Sequence, residues 1–390
     1  MSSDFDGYIE RRCTDSIKWT RYGEDVLPLW VADMDFAAPP AVIKALHDRI
    51  RHGVFGYAVE PPDLRQVIVA RLAERYGWQV APDDLVFMPG VVVGFNLAAQ
   101  AVGQPGDGML LQTPVYYPMI QTPKYAGMTL DQMTLTQGPD GRYGVDLELM
   151  ERTITKHTPS RTRLFLLCNP HNPVGRAFTR QELSDMAALC LRHDLVICSD
   201  EIHCDLTYSE HIHTPIAALD DEIAQQTITL MAPSKAFNIA GLKFSFAVIQ
   251  NPDLRKTYTA ACRGIVPSVS VLAYAAGLAA YRDSDPWLVD ALAYLQANRD
   301  YLCATVAADL PGIRMACPDA TYLAWLDCRE AALPGGPYRF FLERARVALN
   351  DGAAFGPGGE GFVRLNFGCC RQLLDEALER MRTALAAHAS

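Results

Sequence analysis

Between residues 85 and 249 the chain alternates short apolar runs, at 85–88, 109–112, 164–168, 195–199, 227–231 and 246–249, with longer stretches patterned for helices. Runs this short and this continuously apolar are strands buried on both faces, the signature of a parallel sheet with helices above and below. One crossover helix is explicit: Thr179 followed by Glu182 makes a capping box, and Leu183, Met186, Cys190 and Leu191 then recur at helical spacing. Strand, helix, strand in repetition predicts a doubly wound α/β fold with a mostly parallel sheet. In such a fold the ligand site lies at the carboxyl ends of the strands, so chemistry is to be sought just after each apolar run.

Beyond residue 285 the pattern changes. A long helix is expected from Trp287 to Leu310, a strand from Tyr322 to Leu326, and a last amphipathic helix carrying Leu374, Leu378, Met381 and Leu385. The expected division is a large domain at 46–285, a small α+β domain at 286–390, and a segment at 1–45 that joins the small domain and the cleft. A chain of 390 residues is long enough for both cores.

The balance of 49% hydrophobic and 21% charged residues is that of a folded globular protein, and a net charge of −10 with no basic run opposes nucleic acid as a partner. No leader-like start and no membrane-length apolar stretch is visible, so the expected place is the cytoplasm, away from membranes. The eleven cysteines include no CxxC pair, and many sit in apolar runs, which reads as reduced core thiols. His203, Cys204, His211 and His213 carry metal-ligating chemistry but match no standard zinc spacing, and solvated loop histidines are the preferred reading.

Four strand ends finish in polar punctuation: MPGVVVGFN at 88–96, CNPHNPVGR at 168–176, SDEIH at 199–203 and APSKAFNIAGLK at 232–243. In this order, and over nearly the whole chain, the set resembles the fold-type I enzymes of the aminotransferase class I and II superfamily, which use pyridoxal 5′-phosphate (PLP). LPLWVADMDFAAPP at 27–40, HGVFGY at 52–57, TPVYYPM at 113–119 and DATYLAWLDCR at 319–329 narrow the resemblance to the cystathionine β-lyase branch, the MalY/PatB type.

The residues themselves accord with such chemistry. Lys235 follows a strand in a small, apolar setting where an amine can be desolvated; bringing its pKa of about 10.4 near neutrality takes about 4 kcal/mol. The resemblance implies that Lys235 carries PLP covalently and later serves as the base for the Cα proton. A solvated lysine is the plain alternative. Asp200 places a carboxylate at the rim of an apolar sheet, where burial is costly without a cation. The resemblance pairs it with the pyridinium nitrogen, sets Asn172 against the ring oxygen and substrate, and adds His203 to the cofactor contacts. A helix cap for Asp200 and a simple turn for Asn172 remain open.

For the phosphate, Gly90, Val91 and Val92 stand where a strand gives way to a helix expected from Gly94, with backbone N–H groups unpaired. A helix end alone contributes only about 0.3–1 kcal/mol, so charged groups must assist. By resemblance these are Ser234 and Lys243, with Tyr57 reaching the phosphate of a neighbouring subunit, which implies a homodimer with shared active sites. Val93 stands where the family more often has proline. Tyr116 resembles the residue that stacks on the ring and Tyr117 one that passes a proton to the departing sulfur, with core packing as the alternative for both. Arg364, in GFVRLNFG, resembles the arginine that grips the substrate carboxylate, unless it serves a structural ion pair. Asp33, with Trp30, is expected in the wall of the substrate pocket.

What the resemblance implies is a PLP-dependent carbon–sulfur β-lyase that turns an amino acid such as cystathionine into a thiol, pyruvate and ammonia. An aminotransferase using the same Lys235, Asp200 and Arg364 is the rival within the fold, and a PLP-binding regulator is the rival of another class.

Overall fold

A computed structural model of the chain describes residues 4–156 and 161–389. The apolar runs become strands β1 (Leu85–Met88), β2 (Gly108–Thr113), β3 (Thr129–Thr134), β4 (Thr162–Cys168), β5 (Val196–Asp200), β6 (Thr227–Met231) and β7 (Ser245–Val248). Among the described residues they form one seven-stranded sheet in the order β1–β7–β6–β5–β4–β2–β3. Neighbours are parallel except at β7, which runs antiparallel to both β1 and β6. Along β2 and β6 every residue is buried, as a strand covered on both faces requires.

Two features of the sheet were not readable from apolar runs. β3, with sequence TLDQMT, is an edge strand whose burial alternates, so it lacks a continuous apolar stretch. The reversed direction of β7 leaves no mark in composition, because both of its faces are buried either way. That reversal has a consequence for the site: the connection at 232–244 starts and ends at the same sheet edge, and it is the stretch that carries Ser234, Lys235 and Lys243.

Helices cover both faces. Helix α1 (Val91–Val102) begins three residues before the expected Gly94, and its Phe95 and Ala98 pack on Leu164 and Leu230. Gly94 sits where the helix nearly touches the sheet: a Cβ there would stand 2.8 Å from both the Leu230 side chain and the Met88 sulfur. On the other face, α2 (Arg180–Arg192) opens with both arms of the Thr179–Glu182 capping box made and buries Leu183, Met186 and Cys190 against Phe165 and Ile197.

The C-terminal part contains α3 (Asp285–Asp309), an antiparallel sheet of β8 (Leu323–Asp327), β10 (Phe362–Asn366) and β9 (Asn350–Asp351), and α4 (Arg371–Ala389). Leu374, Leu378, Met381 and Leu385 are all buried on α4, the stripe expected from their spacing. Apolar packing runs without a break from Phe246 in β7 through Trp287 and Leu295 in α3 to Leu323 and Leu365 in the smaller sheet.

The N-terminal segment ties these parts together. Leu27–Pro28 pairs in parallel with Val347–Ala348, and the carbonyls of Val31 and Asp33 accept hydrogen bonds from Asn366 Nδ2. Among the described residues no helix is long and apolar enough to cross a membrane.

Candidate active site

Because β1, β2, β4, β5 and β6 point the same way, the segments following them meet at one sheet edge. They line a cavity of about 410 Å³ together with Trp30, Val31 and Ala32 from the N-terminal segment and Asn350 and Arg364 from the smaller sheet. Gly90, Val91, Val92, Tyr116, Tyr117 and Asn172 lie on its wall, as do Asp200, His203, Ser234, Lys235 and Lys243. A volume of this size is usual for a cofactor or small-ligand site.

Lys235 Nζ donates to the Ala32 carbonyl at 2.7 Å. Its side chain keeps some surface on the cavity but lies deep in the fold, and this burial, aided by the charges of Arg364 and Lys243, lowers its pKa to about 8. Asp200, at the end of β5, is buried, and burial raises its carboxyl to about 7 despite the help of Lys235 and the Ile202 N–H. That N–H, at 3.1 Å, is its only hydrogen-bond donor among the described residues. His203 is equally enclosed: burial pushes it well below the usual histidine range, and its Nδ1 has no partner among the described residues. The site therefore holds an amine whose proton is loosened by burial near a carboxylate that makes no ion pair among the described residues.

The phosphate-type end is built from backbone. Gly90 caps α1 with φ 150° and ψ 148°, a conformation that favours glycine, and a Cβ added there would meet nothing within 4 Å. Gly94 N–H already returns to the Gly90 carbonyl at 3.1 Å, which leaves the first-turn N–H groups of Val91 and Val92 without helical acceptors at the cavity wall. Lys243 reaches the same wall from a left-handed backbone position with φ 59°. Tyr57 is not brought to this cavity: it is fully exposed, in a stretch without regular secondary structure where Val54, Phe55 and Val59 are also open to solvent.

At the opposite end Arg364 is buried and makes no ion pair among the described residues. Nη1 donates to Asn172 Oδ1 at 2.8 Å, and Nη2 donates to Trp30 O at 2.9 Å and Asn350 Oδ1 at 2.6 Å. Its Nε is buried without a partner among the described residues, and burial lowers its pKa to about 10. The alternative of a structural ion pair for Arg364 is thus excluded among the described residues. Tyr116 continues from the site through its N–H, which donates to Asn172 O at 3.1 Å, and burial raises its phenol to about 12. Tyr117 is half exposed, its ring centroid 5.2 Å from that of Tyr116, which disfavours a purely core role for it.

Asp33 is placed differently from the expectation. Its carboxylate turns away to Arg11 at 2.7 Å and Lys18 at 3.7 Å, while Trp30, Val31 and Ala32 form the wall. The histidine group also disperses: His213 pairs with Glu201 at 2.8 Å and His211 with Asp319 at 3.2 Å. His213 is buried, not the solvated loop residue expected. Sequence reasoning missed Asn350 and Phe355, which hold the guanidinium of Arg364, the latter with its ring centroid 5.0 Å from Cζ. Nothing in their neighbourhood of the sequence marks them, since they act only through the fold.

A family model for aminotransferase class I and II matches residues 24–381. The cystathionine β-lyase PatB of Bacillus subtilis is 40% identical, the match covering 98% of this chain and all of PatB. The aspartate aminotransferase of the same organism is 24% identical over 94% of this chain and 93% of its own. Among solved structures, OvoB is 44% identical with a TM-score of 0.93, covering 98% of this chain and 99% of its own. The PLP-bound C–S lyase of Staphylococcus hominis is 30% identical with a TM-score of 0.92, covering 99% of this chain and all of its own. A sheet with these strand ends gathered round Lys235, and a family match spanning most of the chain, make this protein a member of the aminotransferase class I and II family.

Proposed function

We propose that the protein is a PLP-dependent carbon–sulfur β-lyase that converts cystathionine, or a related cysteine S-conjugate, and water into a thiol, pyruvate and ammonia. The observation that carries the amino-acid chemistry of this reading, which an aminotransferase would share, is the buried Arg364 fork with no carboxylate partner among the described residues, in the same cavity as the amine of Lys235. Supporting it, similarity is 40% to a protein named cystathionine β-lyase against 24% to a named aspartate aminotransferase, and a similar C–S lyase is PLP-bound.

The cavity fits PLP group by group. Asp200 makes no ion pair among the described residues, and a protonated pyridine nitrogen would supply one. The N–H groups of Val91 and Val92, with Ser234 and Lys243, are donors for a phosphate. Tyr116 offers an aromatic face, His203 and Asn172 offer polar contacts, and Lys235 Nζ would be the covalent anchor. When bound, PLP supplies an electron-withdrawing ring that stabilises negative charge at the substrate Cα.

The chain's own groups do the rest. Arg364 and Asn172 orient the substrate carboxylate, and the Arg364 contact to Asn350 stops the guanidinium from rotating. Lys235 Nζ, with its pKa lowered to about 8, removes the proton from Cα, and its neutral fraction grows as pH rises from 7 to 8. The Tyr117 hydroxyl, at the open side of the cavity, delivers a proton to the sulfur leaving Cβ. Trp30 and Val31 contribute apolar wall to the cavity.

The same reading makes the protein a cytoplasmic homodimer with chain division 1–45, 46–285 and 286–390. Supporting the dimer are the exposed apolar side chains of 54–59, among which Tyr57 would complete the partner's phosphate site. The seven buried free cysteines suit a reducing compartment.

Purified enzyme given cystathionine should release pyruvate and a free thiol with no added keto acid. A strict requirement for a keto acid, with amino-group transfer to it, would establish the aminotransferase instead.

A further inference from the structure

Outside the cavity, two cysteines meet where α3 faces the strap that follows it. Cys303 lies in the last two turns of α3 and Cys317 in the irregular stretch ahead of β8, and their Sγ atoms are 2.6 Å apart. Cys317 is exposed and Cys303 half-buried, so small reagents reach the pair. One turn earlier on α3, Arg299 donates to the Pro318 carbonyl at 3.4 Å, which holds the strap beside the helix. The hydrogen bond from Cys303, aided by the Arg299 charge, draws the Cys317 thiol below its ordinary pKa, while that bond and burial push Cys303 up. Cys317 is therefore the better nucleophile of the two.

The strap matters to the rest of the molecule. Asp319, two residues on, accepts both Nη groups of Arg142 at 2.7 and 2.9 Å and stands 3.1 Å from Arg176 Nε. Its N–H and that of Ala320 both donate to the Gly175 carbonyl, in the turn that carries Asn172.

We propose that Cys303 and Cys317 form a reversible thiol–disulfide site, oxidised by small-molecule disulfides, which staples α3 to the strap bearing Asp319. The Cys317 thiolate attacks one sulfur of the small disulfide, and its S–S bond breaks. One half leaves as a thiolate that takes up a proton. Cys303, having lost its proton to solvent, then attacks the Cys317 sulfur and expels the second half. Two protein thiols are oxidised to one disulfide, and one small disulfide is reduced to two thiols. Because the bond joins groups already in contact, the oxidised enzyme keeps its activity and resists inactivation better.

The test exposes reduced holoenzyme to oxidised glutathione, blocks remaining thiols by alkylation and maps the peptides by mass. The expected result is a Cys303–Cys317 cross-linked peptide pair that dithiothreitol reverses. Cys303→Ser should instead retain glutathione on Cys317. Heated at a fixed temperature, oxidised enzyme should lose activity several-fold more slowly than Cys317→Ser enzyme treated alike. Both thiols recovered separately alkylated, stable glutathione adducts without a cross-link in the unmutated enzyme, or equal inactivation half-lives would overturn the proposal. The peptide map of the unmutated enzyme decides the chemistry even where a variant folds poorly.

Discussion

Asp200 bears the cost of being ready for a cation. Its carboxyl titrates at about 7 in the fold against about 3.8 in a free chain, so in cofactor-free protein the folded state binds the extra proton between those values. Stability then falls as pH rises through that window, by about 2–4 kcal/mol in all. Asp200→Asn should accordingly make cofactor-free protein more stable by that order at pH 8 and no more stable at pH 3.5, as read from denaturant melts. The same change should lower kcat/KM about 100-fold or more, since a charge-assisted contact is lost. Arg364→Lys is expected to raise KM roughly 10- to 100-fold with a smaller fall in kcat, because an ammonium cannot make the forked pairing. Steady-state thiol release over a range of substrate concentrations separates the two parameters.

At the scale of elements, the turn at 169–176 depends on a strap more than 140 residues further along the chain. Asp319 is buried and joins Arg142 and Arg176, and Arg176 is itself nearly buried. Removing Asp319 takes one carboxylate from Arg176, which keeps Glu182 at 2.7 Å, and one from the partly exposed Arg142, so the cost falls short of the about 3–5 kcal/mol of leaving a buried charge uncompensated. Asp319→Ala should therefore lower unfolding stability by about 1–3 kcal/mol, measured in urea, and weaken substrate binding through displacement of Asn172. The strands and the capped helix α2 were legible because apolar runs and a Thr–Glu box are local signals. β3 was not, since an edge strand with one buried face has no continuous apolar run.

For the whole molecule, Tyr57 is the residue that a single chain leaves unexplained. It is fully exposed while its neighbours Val54, Phe55 and Val59 are exposed apolar groups. If each site borrows Tyr57 from a partner, Tyr57→Ala and Lys235→Ala chains, each nearly inactive alone, should regain activity when refolded as a mixture. The mixed dimers carry one site in which both residues are intact, so recovery approaching a quarter of normal activity is expected from random pairing. Sedimentation should give twice the 43.0 kDa chain mass. Activity that stays at the level of the separate variants would mean that Tyr57 works within its own chain or not at all.

The placing of Lys235, Asp200, Asn172 and Gly90 at strand ends was legible in the sequence, because each lies at or just after an apolar run that reads as a buried strand, while the roles expected of them came from the resemblance. Tertiary structure alone decided what surrounds them. Asn350 and Phe355 hold Arg364 from a distant sheet, Asp33 turns from the cavity to Arg11, and β7 reverses so that the lysine loop returns to the same edge. The physical reason is range: strand formation and helix capping are written in neighbouring residues. Burial that lowers Lys235 and raises Asp200, and the partners of a guanidinium, arise only when segments far apart in sequence exclude water from one another.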